Sequence, residues 1–141
     1  MQVIVGYRIA TLVCTIFLTS CETRPREVYD IPADYRGWVE IRVNRSGCRP
    51  LTASRGEIHF VVPKDGRLCT SSPIAFGWGR EEFNYVREGH RIRLDHSGAG
   101  SSRMIWQKEY YGSSGVGASH EGDRDRVRFF VGTKAEYEKV R

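Results

Sequence analysis

Residues 38–44 read "WVEIRVN", and the fold turns on this stretch. In an extended chain Val39, Ile41 and Val43 fall on one side and Glu40, Arg42 and Asn44 on the other. A period of two with one apolar side marks a half-buried strand. A helix would need apolar residues three and four apart, and this alternation denies it.

The same logic extends downstream. "RSGCRPLTASRG" (45–56) is rich in turn residues. "EIHFVVP" (57–63) is the next strand, with Ile58, Phe60 and Val62 in phase, and Gly66 in "KDG" suits a turn with positive φ. "RLCT" (67–70) is short and extended and stops at "SSP". "EEFNYV" and "RIRL" flank Arg87-Glu88-Gly89-His90 as a hairpin, with Phe83 and Tyr85 alternating on one strand and Ile92 and Leu94 on the other. "MIWQKEYY" (104–111) and "RVRFFVG" (126–132) read as strands, separated by a long loop. Thr133 and Glu136 have capping-box spacing, so a short helix over 134–140 closes the chain. About seven short strands and a terminal helix predict a mainly β protein. The expected architecture is a single β-sandwich, prealbumin- or immunoglobulin-like.

Upstream, "ETRPREVYDIPADY" (22–35) carries two prolines and six charged residues. It reads as a tether over 21–34, with the sandwich occupying 35–141. Before it, Ile9 to Leu18 is an uncharged, largely apolar run preceded by one basic residue, Arg8. Ten helical residues reach only ~15 Å, about half of a hydrocarbon core of roughly 30 Å. The run is therefore a secretory signal over 1–20 rather than a spanning helix.

The exit of that signal, Leu18-Thr19-Ser20-Cys21, resembles the lipobox of bacterial lipoproteins, with an aliphatic residue three positions before a cysteine. The resemblance implies a diacylglyceryl thioether on Cys21, cleavage before it and acylation (palmitate or similar) of the freed amine. Two or more chains anchor stably, where one holds only marginally. Glu22 in place of aspartate after the cysteine implies, by the Gram-negative sorting pattern, the periplasmic face of the outer membrane. The membrane, through lipid on Cys21, is the expected partner, with an envelope protein or cell-wall polymer as a further contact.

Loss of residues 1–20 from a chain of 141 residues leaves 121, enough for one domain with a real core. The formal charge of +5 drops to +4 with Arg8. Mixed charges and the absence of a basic block exclude nucleic acid as a partner. Cys48 and Cys69 remain as an even pair in an exported chain, which predicts a disulfide.

Sites of chemistry are sparse. "GWGREE", "GAGSSR" and "GVGASH" are incomplete as phosphate or dinucleotide loops. Serines are plentiful, but G-x-S-x-G and S-x-x-K are absent. Glu121, Asp123 and Asp125 alternate without calcium-loop spacing, and no metal or cofactor is expected. His90, Asp95, His96 and His120 are the residues of the competing reading, a small envelope hydrolase or metal-dependent enzyme. The leading reading is a non-enzymatic binding or structural module. Among the aromatics, Trp78 sits between glycines beside Arg80, a composition favoured at contact surfaces.

"IPADYRGW" (31–38), "GRLCTSSP" (66–73) with "GWGREEFNYV" (77–86), and "FFVGTKAEYEK" (129–139) together resemble a family of uncharacterised bacterial exported and lipoprotein domains of unknown function. The resemblance implies export and this fold, and brings no activity or cofactor.

Overall fold

The computed structural model describes residues 24–74, 79–96, 102–111 and 125–141. In chain order the strands are β1 Arg26–Pro32, β2 Gly37–Arg42, β3 Thr52–Ser54, β4 Glu57–Val61 and β5 Arg67–Cys69. There follow β6 Glu81–Arg87, β7 His90–Leu94, β8 Ile105–Tyr111, β9 Arg126–Val131 and the helix α1 Lys134–Glu138. One sheet runs β3-β4-β1-β6-β7 and the other β5-β2-β9-β8. Both are mixed, because β1 is parallel to β4 and β6, and β2 is parallel to β5. An immunoglobulin sandwich is all antiparallel, so the strand pairing here differs while the sandwich layering is as expected.

The core lies between the sheets and draws on both. Tyr29, Phe60 and Phe83 come from the first, Ile41, Val127 and Phe129 from the second. The Tyr29 ring stacks between Phe60 at 4.5 Å and Phe83 at 4.7 Å and meets Phe129 edge-on at 5.4 Å. Such pairs add about 0.5–1.5 kcal/mol each beyond the burial of their area. Val39, Ile41 and Val43 all point inward, as their alternation requires.

Two strands depart from the sequence reading and raise the count among the described residues to nine. Arg26–Pro32, which reads as tether, is the central strand of its sheet, with Val28, Tyr29 and Ile31 at 1% exposure or less. Its charges read as tether because their partners come from other strands. Arg26 pairs with Glu57 at 3.0 Å and Glu82 at 3.1 Å, and Arg91 grips Asp30 with two bonds of 2.7 and 2.6 Å. The other addition is β3, a three-residue exposed edge in the turn-rich segment.

The stretches that carry the resemblance are scaffold. Tyr35 donates to the Trp38 carbonyl at 2.6 Å and lies over Gly66, where a Cβ would fall 1.9 Å from the Tyr35 hydroxyl. Gly66 also has φ +73°, so no other residue fits. Buried Thr70 donates to the Arg49 carbonyl at 2.9 Å and accepts from the Ser72 amide at 3.1 Å. Ser72 in turn accepts from the Leu51 amide at 2.9 Å. T-S-S-P thus fastens the loop that carries Cys48. Cys48 and Cys69 are joined as a disulfide with Cα atoms 5.7 Å apart. The β6–β7 hairpin turns through Glu88 and Gly89, at φ 50° and 80°, as a primed turn. Thr133 and Glu136 form the capping box of α1.

Candidate functional site

Chemistry concentrates between the sheets, where β1 and β6 start. Position matters here more than composition. In β8 the ladder with β9 breaks between Trp106 and Glu109, and Gln107 takes φ 47°. This is a β-bulge, and a bulge re-aims side chains. In a plain strand Trp106 and Lys108 share a face. With the bulge, Lys108 turns inward while Trp106 stays outside. Helix α1 braces it: Tyr137 stacks on Trp106 at 5.6 Å and donates a hydrogen bond to Gln107. The Trp106 indole donates to the Gly132 carbonyl at 2.8 Å.

Inside, the Lys108 ammonium spends its three protons on Glu81 Oε1 at 2.7 Å, the Tyr29 hydroxyl at 2.7 Å and Glu27 Oε2 at 3.1 Å. Tyr29 donates to Glu27 Oε2 at 2.7 Å, and Tyr110 donates to Glu81 Oε1 at 2.6 Å. Arg24 completes the cluster on Glu27 Oε1. Two carboxylates face two cations, so the formal charges cancel. Lys108 also lies over the rings of Tyr29 at 4.4 Å and Tyr110 at 4.6 Å, a cation–π setting.

Burial and pairing compete over each proton. Burial pushes the Glu27 carboxyl up, but Lys108, the Tyr29 hydroxyl and Arg24 together outweigh it and hold it below the usual carboxylate range. Burial pulls Lys108 down, and Glu27 and Glu81 only partly restore it. Burial, reinforced by the neighbouring carboxylates, raises both Tyr29 and Tyr110. The tyrosines therefore stay protonated as donors at neutral pH. With every ammonium proton engaged, Lys108 on the second sheet cross-links to Glu27, Tyr29 and Glu81 on the first.

The sequence-derived site residues scatter. His90 pairs with Arg87 at the exposed hairpin turn. His96 lies past the opposite end of β7, tilted against Phe83 at 5.2 Å. Asp95 accepts a bond of 3.2 Å from Ser102, and a shallow depression is lined by Arg93, Leu94, Asp95 and His96. The two histidines are thus held apart by the length of a strand. Asp125 accepts from Asn44 at 3.3 Å. Among the described residues, no group of three or more His, Cys, Asp or Glu could hold a metal. Cys21, Trp78, His120, Glu121 and Asp123 lie outside the described residues. Arg80 is exposed, and its carbonyl accepts from the Glu27 amide at 2.9 Å. Trp38 and Trp106 sit on the outer face of the second sheet beside Phe130 and Tyr137, with Arg128 3.8 Å over the Trp38 ring.

Sequence reasoning missed the cluster. Glu27 fell in the supposed tether, and nothing local in "WQKEYY" announces a bulge.

Residues 23–139 match DUF6843, a family of unknown function. The chain belongs to that family. The match begins ahead of β1, so the family's own boundary includes the strand that composition assigns to a tether. Among solved structures, the DUF6843 chain is similar to a candidate lipoprotein from Bacillus anthracis, with a TM-score of 0.60 and 23% identity over 79% of this chain and 71% of that one. At that identity the likeness speaks for the fold. No curated protein matches the chain.

Proposed function

We propose that this DUF6843 protein is an exported bacterial lipoprotein, anchored through Cys21, whose sandwich is a non-enzymatic binding or structural module of the cell envelope. The observation that carries the reading is Leu18-Thr19-Ser20-Cys21 at the end of a short uncharged run, directly ahead of the folded domain. The Cys48–Cys69 disulfide supports export. The fold likeness to a candidate lipoprotein points the same way. The interior cluster, with every proton of Lys108 engaged, favours a scaffold over a reaction centre. In a Gram-negative host Glu22 favours the outer membrane, periplasmic side. Trp78 and Arg80 are the contact candidates for an envelope protein or cell-wall partner.

Metabolic labelling with a fatty-acid analogue tests the anchor. Label is expected on the wild-type protein in the membrane fraction and absent from Cys21→Ala. A Cys21→Ala protein that keeps both label and membrane association would sink the proposal.

A further inference from the structure

From the shortness of the link between Cys21 and β1, we infer that the start of the first sheet rests on the anionic headgroups of the membrane that holds the lipid, through Arg55 and Arg80. The inference rests on the lipid anchor proposed above. Only three residue steps separate Cys21 from Arg24, which is bound to Glu27 inside the fold. Three steps reach at most about 11 Å whatever their conformation. The headgroup region on each side of a bilayer is itself roughly 5–8 Å deep. A lipidated Cys21 therefore cannot let the sandwich stand off from the surface.

The topology says which residues meet that surface. Strands β4 and β6 flank β1 and both run parallel to it, so the three starts lie at one end of the sheet. The Arg26 amide bonds the Gly56 carbonyl at 2.9 Å, and the Glu27 amide bonds the Arg80 carbonyl at 2.9 Å. Arg55, in the turn before β4, and Arg80, just before β6, therefore bracket the root of β1. Both are exposed. The neighbouring charges are otherwise engaged: Arg26 with Glu57 and Glu82, and Lys108 with Glu27 and Glu81. Two outward cations at the root of an anchored strand fit an anionic lipid surface, which attracts each nearby arginine by about a fivefold factor.

The test uses the full lipidated protein in phosphatidylglycerol vesicles and in phosphatidylcholine vesicles. Arginines are modified with phenylglyoxal and read by peptide mass spectrometry. Arg141, exposed after α1, is the reference. Arg55 and Arg80 should react about fivefold more slowly than Arg141 in phosphatidylglycerol and recover in phosphatidylcholine. Rates equal to that of Arg141 in phosphatidylglycerol, or equal protection in both vesicles, would overturn the headgroup contact. The mass of the Cys21 peptide separates the two proposals. A diacylglyceryl group without protection removes only this inference, whereas an unmodified Cys21 removes the anchor and this inference with it.

Discussion

Strands β1 and β7 belong to one sheet and both mix charged with apolar residues, yet one is buried and the other is not. "REVYDIP" carries Arg26, Glu27 and Asp30 and is the centre of the sheet. "HRIRL" carries two apolar residues and is its edge. Glu27 is 3% exposed, while Ile92 is 55% exposed. Burial here follows from neighbours on both sides and from partners for each charge, not from local hydropathy. Strand β1 has ladders to β4 and β6, and its carboxylates meet cations from β7 and β8. Among the described residues strand β7 pairs with β6 alone, and of its two apolar residues only Leu94 reaches the core.

The contrast can be broken most forcefully at Lys108. Lys108→Met leaves Glu27 with Arg24 and Tyr29, and Glu81 with Tyr110, but takes away the cation that the two carboxylates share. Breaking a buried pair from one side costs about 3–5 kcal/mol. Urea melts should show that loss, and Glu27→Gln added to Lys108→Met should recover part of it. A loss under ~1 kcal/mol for Lys108→Met would mean that the cluster does not hold the sheets.

An intermediate effect is expected from acid. The folded Glu27 carboxyl lies below its ordinary value of 4.5, so between the two values the unfolded chain binds more protons. The stability it carries is complete above that ordinary value and is lost as pH falls through the depressed one. Melting temperature against pH should drop below about pH 4.5 in the wild type, and more shallowly in Glu27→Gln. Identical acid limbs in the two proteins would assign the acid sensitivity to other carboxylates.

The smallest effect belongs to the edge. Ile92→Ser removes an apolar side chain that the fold leaves in water, and stability should change by no more than about 0.5 kcal/mol. A loss comparable to that of Lys108→Met would show that β7 is covered in solution, and the comparison with β1 would fail.

Much of the scaffold is legible residue by residue, because its signals act over a few positions. Alternation places β2 and β4, the Glu88-Gly89 pair makes the hairpin, and Thr133 with Glu136 caps the helix. The Cys48–Cys69 pair follows from counting cysteines in a chain whose sequence reads as exported. Each of these rests on backbone preference or a local bond, so it survives without knowledge of the rest.

The site was decided elsewhere. No local rule says that Glu27 will find Lys108, 81 positions away, or that Tyr137 will brace a bulge at Gln107 across 30. Charges read as solvated until a partner from another strand cancels them, and a bulge that fits two sheets together leaves no alternation to detect. The length of β1, and with it the number of residues between Cys21 and the fold, became visible once the sheets had closed around a strand whose composition reads as tether.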